Sequence, residues 1–279
     1  MFGSVLQKIR ESRPLVHAIT NYVTINDCAN IMLAAGGSPI MADAPQESAQ
    51  ITAACDGLVL NLGMLNDSKK EAMRTSAAVA AECGKPVILD PVGVGASPYR
   101  LETAAELLNS MAVSVIRGNA SEISALARGH AQSRGVDAVL QGEPQTQLRR
   151  MKELSRKYSA IVVQTGETDL LTDGETVYEI HNGDPMMKLV TGSGCMLSAL
   201  TGVCCAADPE HLLEACACAV CMMGLAGELS GAETAARGGG TASFRVGLID
   251  WVSKMNEEIL NGGMKLEMRS DDDAAVCGN

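Results

Sequence analysis

The chain has 279 residues, of which 47% are hydrophobic and 20% are charged. A chain of this length buries roughly three quarters of its unfolded surface, so one large domain is expected. The formal net charge is −11 and lysines and arginines do not cluster, which excludes nucleic acid and anionic membrane surfaces as expected partners. The first residues lack a signal-peptide pattern and we find no run of about 18 apolar residues, so a soluble cytoplasmic protein is expected.

Short β-rich runs alternate with longer Ala-rich amphipathic runs along the first part of the chain. This alternation predicts a parallel sheet covered by helices. The predicted strands are Leu15–Ile19, Pro39–Met41, Gly57–Leu62, Pro86–Asp90, Val113–Arg117 and Ala160–Thr165. Between them, helices are predicted over Asn66–Cys83 and Leu101–Asn109. After Thr165 the pattern changes to an antiparallel hairpin, with Asp173-Gly174 as a two-residue turn at the edge of the sheet.

The rest of the chain is predicted to be mostly helical, over Gly194–Ala206, Glu210–Leu229 and Phe244–Leu260. The fold class is therefore α/β, with a mostly parallel central sheet, an antiparallel hairpin at its edge and helices on both faces. No linker composition interrupts the chain, so residues 1–268 are predicted to form a single domain. Residues 269–279 are predicted to be a disordered acidic tail.

The ten cysteines lie mostly among alanines and methionines in helical stretches. In a cytoplasmic protein they are expected to be small buried hydrophobic residues. Cys218 and Cys221 form a C-x-x-C pair, but this pair lies inside an apolar helical stretch and no second pair at zinc-site spacing accompanies it. Packing is therefore favoured for the pair over a redox function.

Ligands of open α/β sheets bind beyond the carboxyl ends of the strands, so polar residues at these positions are candidates for a site. Asp90 ends a strand in VILDPVGVGA, where magnesium binding and simple loop capping fit equally well. Arg117 and Asn119 end the next strand, and Asn119 to Glu122 has the spacing of a capping box, which is favoured for Glu122 in isolation. Two carboxylates and an arginine at neighbouring strand ends strengthen the alternative, a metal–phosphate site.

Residues 190–200, VTGSGCMLSAL, place a glycine-rich loop at the start of a helix. Free backbone amides and the helix dipole favour an anion there, and Gly192 and Gly194 let the amides around Ser193 converge on a phosphate. The loop is neither a Walker A nor a Rossmann loop, so an ordinary glycine turn is the alternative. Cys195 lies in the first helical turn, where a lowered pKa is expected, and it either takes part in the chemistry or is merely small enough for the loop.

Candidate site residues lie at three further strand ends. Thr20 and Asn21 follow the first strand and Met41 ends the second, which suits a small, partly apolar substrate. His17 lies on the first strand and is expected to be a core residue with satisfied hydrogen bonds. Thr165 ends a later strand, where a nucleotide contact and a simple turn are equally compatible with the sequence.

Together, these stretches resemble the hydroxyethylthiazole kinase family of the ribokinase-like group. The resemblance runs from about residue 14 to about residue 255 and is carried by PLVHAITN, GGSPIMADAP, LDPVGVGA, IRGNASEI, VVQTGETD and HNGDPMMKLVTGSGC. It implies a ribokinase-like fold and transfer of the γ-phosphoryl group of ATP, with Mg²⁺, to the hydroxyl of 4-methyl-5-(2-hydroxyethyl)thiazole in thiamine salvage. It further implies a homotrimer with active sites between subunits.

The resemblance, combined with the chemistry of the residues, assigns roles to individual positions. These roles are Cys195 as the catalytic residue, Arg117 and Thr165 for ATP, Met41, Asn21 and Gly192 for the thiazole, Ser193 and Gly194 for the anion hole, and Asp90 and Glu122 for the metal. The family's loop commonly has threonine where this chain has Ser193, and residues 238–244, GGGTASF, depart from its Gly-Pro-Gly-Ser-Phe stretch. Two alternatives stay open: a kinase of the same fold acting on hydroxymethylpyrimidine or pyridoxal, and a nucleotide-binding module without catalytic activity.

Overall fold

The computed structural model describes residues 2–129 and 144–269. Its strands are Leu15–Ile19 (β1), Ser38–Ile40 (β2), Gly57–Asn61 (β3), Val87–Asp90 (β4), Val115–Asn119 (β5), Ile161–Thr165 (β6), Asp169–Thr172 (β7), Val177–Ile180 (β8) and Leu266–Arg269 (β9). Within the described ranges they form one sheet in the order β2-β1-β3-β4-β5-β6-β7-β8-β9. Residues 270–279, nearly all of the predicted tail, lie outside the described residues, and Arg269 belongs to β9.

The strands β1 to β6 are parallel, and β7, β8 and β9 continue the sheet in antiparallel pairing. The predicted mostly parallel sheet with an antiparallel edge is therefore confirmed. The strands β3 and β4 are buried along their whole length. Burial on both faces explains their nearly continuous apolar sequences, which is typical of parallel strands covered by helices.

Helices cover both faces of the sheet, as predicted. They are Phe2–Ser12 (α1), Ile25–Ala35 (α2), Pro45–Ala54 (α3), Asp67–Glu82 (α4), Pro98–Ser110 (α5), Ala120–Arg128 (α6), Pro144–Tyr158 (α7), Ser193–Ala207 (α8), Leu212–Ala236 (α9), Thr241–Lys254 (α10) and Glu257–Gly263 (α11). One core lies between the sheet and α1, α2, α8, α9 and α10, and a second lies between the sheet and α4 to α7.

The strand order places a crevice at the carboxyl ends of the first strands. The chain passes from β1 to β2 on one side and then to β3 on the other side of β1. Ligands bind at such switch points in open α/β sheets. Asn21 follows β1, Asn61 ends β3, and Asn61 lies directly opposite Asp90 in the register of β3 and β4. The topology therefore brings these three polar side chains to one end of the sheet.

The predicted hairpin forms between β7 and β8, but its connection has four residues, 173–176, and not two. Asp173 holds the longer loop because its Oδ1 accepts hydrogen bonds from the amides of Glu175 (2.9 Å) and Thr176 (2.7 Å). The third antiparallel strand, β9, was not predicted, and it pairs with β8 along the edge.

Two helix predictions were wrong in their extents. The predicted helix Phe244–Leu260 is divided into α10 and α11, because the side chain of Asn256 accepts the amide of Ile259 and begins a new helix. The helix α9 continues to Ala236, well beyond the predicted Leu229. Contrary to the expectation from sequence, α9 is long and apolar enough by composition to cross a bilayer, but 78% of its most apolar window is buried inside the fold.

The prediction for His17 is confirmed, and so is the prediction for the described cysteines except the exposed Cys83 and the half-buried Cys195. The nine cysteines within the described residues are free thiols. Cys218 and Cys221 are fully buried in α9, and burial raises the pKa of Cys221 to about 12, so packing accounts for this pair. His17 is buried as well, with Nδ1 at 2.8 Å from Thr52 Oγ1 and Nε2 at 2.7 Å from the carbonyl oxygen of Ala42. Both ring nitrogens are therefore satisfied.

Candidate functional site

A cavity of about 690 Å³ opens at the carboxyl ends of β4, β5 and β6, beside the N-terminus of α8. Small-molecule sites typically have volumes of roughly 300–1,000 Å³. The polar part of the lining comes from Asp90, Arg117, Asn119, Glu122, Thr165, Asp169, Lys188, Gly192, Ser193, Gly194 and Cys195. An apolar part comes from Met187, Leu197, Val220 and Met223. The lining of the cavity is thus partly polar and partly apolar.

Asp90 ends β4 with its side chain fully buried. Its Oδ2 accepts hydrogen bonds from Asn61 Nδ2 and from Ser198 Oγ of α8, both at 2.7 Å. Its Oδ1 is buried and has no hydrogen-bond partner among the residues that the structure describes. Burial raises the pKa of Asp90 to about 6, although the positive charge of Arg117 opposes this rise. Asp90 Oδ1 can therefore bind a cation or a proton at the lining of the cavity.

Glu122 combines a capping role with a place on the cavity wall. Its Oε2 accepts the amide of Asn119 at 2.8 Å, and Asn119 Oδ1 accepts the amide of Glu122 at 3.0 Å, which completes the predicted capping box. Its Oε1 accepts the amide of Gly93 at 2.9 Å, from the loop after β4. The carboxylate is therefore fixed between two backbone segments while it faces the cavity.

Arg117 projects from β5 and is 7% exposed. Its Nη2 donates to Thr165 Oγ1 at 2.8 Å, so the two predicted nucleotide contacts form one unit. A Cβ atom on Gly194 would lie 2.8 Å from Nη1 of Arg117, so glycine at this position leaves room for the guanidinium. The arginine thus lies against the loop that was predicted to bind phosphate.

The loop before α8 also requires glycine at position 192. Gly192 has a φ of +89°, in the left-handed region, and an added Cβ would lie 2.5 Å from Thr24 Cγ2. The neighbouring Ser193 donates its hydroxyl to the carbonyl oxygen of Met187 at 3.0 Å. These contacts fix the entry of the chain into the helix.

Ser193, Gly194 and Cys195, at the start of α8, line the cavity. The amide of Met196 bonds to the carbonyl of Gly192 at 2.8 Å. The amides of Gly194 and Cys195 precede it and have no carbonyl one turn back within the helix. Together with the helix dipole, they provide the conditions for anion binding that the sequence predicted.

The thiol of Cys195 is held by two asparagine side chains. Nδ2 of Asn21 and Nδ2 of Asn61 each lie 3.3 Å from Sγ, and Asn21 Nδ2 also donates to Asn61 Oδ1 at 3.1 Å. The expected lowering of the pKa of Cys195 was wrong. Burial, followed by the nearby charge of Asp90, raises this pKa, and the hydrogen bonds from Asn21 and Asn61 offset only part of the rise. Near neutral pH the residue is therefore a thiol and not a thiolate.

The cavity lining carries more carboxylates than basic groups. The carboxylates are Asp90, Glu122, Glu167, Asp169 and Asp184, and the permanently basic groups are Arg117 and Lys188. Burial raises the pKa of Asp169 to about 6, and this residue also accepts the amide of Gly166 at 2.9 Å. An anionic ligand in this cavity needs a cation beside it, because these carboxylates would otherwise repel it.

Comparisons with known proteins identify the family of the chain. Residues 6–258 match the sequence profile of the Hydroxyethylthiazole kinase family. The chain belongs to this family. It is 44% identical to a hydroxyethylthiazole kinase of Methanosphaerula palustris, over 95% of this chain and 98% of the relative.

Solved structures place the fold in the same group. A hydroxyethylthiazole kinase protein from Pyrococcus horikoshii matches with a TM-score of 0.86 and 35% identity, over 96% of this chain and 99% of the other. A ribokinase-like superfamily protein from Enterococcus faecalis matches with a TM-score of 0.60 and 12% identity, over 87% of each chain. The predicted ribokinase-like fold is therefore confirmed, and the protein belongs to a family of phosphotransferases.

The structure unites most of the predicted site residues of this kinase-family protein. Asp90, Arg117, Glu122, Thr165 and residues 192–195 line one cavity. Asn21 reaches this group through the thiol of Cys195. Met41 is separate: it follows the edge strand β2, is half-buried, packs against the core and does not line the cavity.

Asn61, Ser198 and Asp169 are among the residues of the site that were not predicted from the sequence. Asn61 ends a buried strand, as Asp90 does, so the rule that identified Asp90 could have identified it as well. Ser198 follows Cys195 by three positions and therefore lies on the same face of α8. Asp169 begins β7 after a chain reversal, and no local pattern distinguishes it from an ordinary surface carboxylate.

Proposed function

We propose that the protein transfers the γ-phosphoryl group of ATP to the hydroxyl of 4-methyl-5-(2-hydroxyethyl)thiazole, in thiamine salvage. The observation that carries this proposal is the convergence of Asp90, Arg117, Cys195 and the free amides of α8 on one cavity, in a chain of the hydroxyethylthiazole kinase family. Phosphoryl transfer needs accurate placement and charge neutralisation more than covalent chemistry. These residues supply both.

The side chain of Arg117 and the start of α8 are suited to the phosphates of ATP. The guanidinium offers a planar set of donors that matches phosphate oxygens, and its bond to Thr165 Oγ1 orients it from one side. The amides of Gly194 and Cys195 provide fixed donors for the transferring phosphoryl group. Ser193 keeps these amides in place through its hydrogen bond to the carbonyl of residue 187.

The donor set also fits Mg²⁺. The buried Oδ1 of Asp90 lacks a protein partner in the described part of the chain, and hard oxygen ligands are those that Mg²⁺ prefers. Glu122 would contribute through water molecules, because backbone amides already bind both of its oxygens. When bound, the ion neutralises charge on the phosphate oxygens and offsets the negative lining of the cavity.

Cys195 orients the acceptor alcohol. Its pKa is raised, so near neutral pH it holds its own proton and works as a hydrogen-bonding thiol beside the transferring group. In a loose transition state the alcohol needs little deprotonation before its oxygen bonds to phosphorus and the bond to ADP breaks, and its proton then passes to an oxygen of the transferred phosphoryl group. Asn21 and Asn61 fix the thiol, and Asn61 also ties it to the carboxylate of Asp90.

Gly192 and Met41 are proposed to contact the thiazole ring. Because Met41 lies away from the cavity within one chain, its contact is proposed to be made across an interface in a homotrimer. Exposed apolar side chains support such an interface: Tyr22 (55%), Val23 (67%), Leu33 (57%), Leu189 (67%) and Val246 (53%). Sedimentation analysis is expected to give a trimer, and a monomer would contradict this part of the proposal. We place this trimer in the cytoplasm.

The proposed activity is tested by incubating the protein with ATP and Mg²⁺ and one alcohol at a time: the thiazole, hydroxymethylpyrimidine or pyridoxal. The expected result is ADP formation with the highest kcat/KM for the thiazole and a phosphate monoester as the product. A higher kcat/KM for either other alcohol would overturn the substrate. Binding of ATP without turnover on any of the three would support the non-catalytic alternative.

A further inference from the structure

A buried lysine lies between the loop after β1 and the loop after β2. Lys69, in the first turn of α4, is 1% exposed. Its ammonium donates to the carbonyl oxygen of Thr20 at 2.7 Å and lies 3.6 Å from Oδ2 of Asp43. It also lies 4.1 Å from the centre of the Tyr22 ring, which covers it from solvent. A lysine at this depth is rare unless it is paired, as it is here.

The partners of Lys69 belong to two loops that carry candidate acceptor-site residues. Thr20 precedes Asn21, whose side chain contacts the thiol of Cys195. Asp43 lies two residues after Met41, on the loop between β2 and α3. The ammonium is therefore a single group that connects the loop after β1 with the loop after β2.

Other contacts reinforce this connection. The hydroxyl of Tyr22 donates to Oδ2 of Asp43 at 2.5 Å, so the first loop holds the second directly as well. The carbonyl of Ala42, next to Asp43, lies 2.7 Å from His17 Nε2 on β1. Asp43 and Lys69 line a small cavity of about 320 Å³ that the N-termini of α3 and α4 also border. Helix N-termini favour a nearby negative charge, so they stabilise the carboxylate of Asp43. The position of the loop between β2 and α3 is thus fixed by charge as well as by packing.

We propose that Lys69 is a positioning residue for the acceptor alcohol: it aligns Asn21 and Met41 by binding the loops that carry them. The inference rests on the proposed function, because it assigns these loops to the alcohol. The ATP side is built from β4, β5, β6 and α8, whereas the hydrogen bond, the ion pair and the ring contact of Lys69 are with residues of the loops after β1 and β2. Loss of the ammonium is therefore expected to weaken use of the alcohol and to leave use of ATP nearly unchanged.

The test is the Lys69→Met variant, which keeps an apolar chain of similar length and removes the charge. The KM for the alcohol is expected to rise roughly 10- to 100-fold, because small misplacements of substrate-orienting groups have effects of this size. The KM for ATP is expected to stay within about twofold, since a purely structural defect would not separate the two substrates. The matched control is Lys70→Met, which removes a partly exposed ion pair with Glu106 from the next position of α4.

A milder variant keeps the inference testable if Lys69→Met does not fold. Tyr22→Phe retains the ring over the ammonium and removes the hydrogen bond to Asp43, and it is expected to raise the KM for the alcohol by about threefold to tenfold. Equal changes in both KM values, or no change in the KM for the alcohol in either variant, would overturn the inference. The measurement uses whichever alcohol the wild-type protein phosphorylates, so failure of the thiazole assignment is seen separately in the wild type.

Discussion

The buried carboxylate of Asp90 gives the protein a pH-dependent stability that can be worked out from the structure. Asp90 is fully buried, and burial raises its pKa from 3.8 to about 6 despite the charge of Arg117 and the hydrogen bonds from Ser198 and Asn61. The folded state therefore binds this proton more tightly than the unfolded state does. The contribution to the free energy of unfolding is fully present below about pH 3.8 and is lost as the pH rises through about 6.

The magnitude follows from the same two values. A rise in pKa from 3.8 to about 6 corresponds to about 3 kcal/mol, at about 1.4 kcal/mol for each tenfold change in proton affinity. The Asp90→Asn variant removes the titration. As the pH rises from about 4 to about 7, the wild type is therefore expected to lose about 3 kcal/mol of unfolding free energy relative to the variant.

Urea unfolding of both proteins without metal ions, at a series of pH values, measures this difference. Subtracting the two curves removes the contributions of the titrating groups that do not interact with Asp90. Asp250→Asn, which changes an exposed carboxylate on α10, is the control and is expected to show no such shift. A difference that stays constant between about pH 4 and pH 7 would refute the reasoning, because the partners of Asp90 would then compensate for its burial in full.

Three further substitutions test the proposed site. Cys195→Ala should lower kcat/KM for the alcohol about tenfold, which is the effect of losing one or two neutral hydrogen bonds, and should leave KM for ATP unchanged. A loss of roughly 1,000-fold would instead indicate that Cys195 is a general base. Gly192→Ala should lower the thermal midpoint and abolish most activity, because Cβ meets Thr24 at 2.5 Å. Gly84→Ala, at a φ of +64° with open space around it, should cost about 1 kcal/mol and keep full activity. Arg117→Lys should raise KM for ATP roughly tenfold, because the planar donor set is lost, whereas the same change at the exposed Arg74 should have no effect.

Much of the fold follows from local patterns in the sequence. The strands β3, β4 and β6 are apolar runs that end in polar residues, and each predicted strand overlaps an observed one. The division between α10 and α11 was predictable in principle from Asn256, but the apolar residues on both sides concealed it. The strand β9 could not be recognised, because it is exposed along most of its length and is held by its pairing with β8.

The site was less predictable because its properties depend on several elements at once. The position of Asp90 at a strand end indicated that it belongs to a site, and the glycine-rich loop before α8 indicated the same for Cys195. The pKa of Cys195 was predicted with the wrong sign, because a helix start in isolation lowers a thiol pKa, whereas the folded chain buries this thiol beside Asp90. Of the two asparagines that hold the thiol, Asn21 follows β1 and Asn61 ends β3, so their contact with Cys195 depends on the strand order.

One measurement tests the central claim most directly. The wild-type protein is given ATP, Mg²⁺ and equal concentrations of the thiazole, hydroxymethylpyrimidine and pyridoxal in one solution, and phosphorus NMR identifies the esters that form. We expect the phosphate ester of the thiazole to accumulate first and in excess over the other two. Accumulation of another ester in its place, or consumption of ATP with release of inorganic phosphate alone, would contradict the assignment of this cavity to a thiazole alcohol kinase.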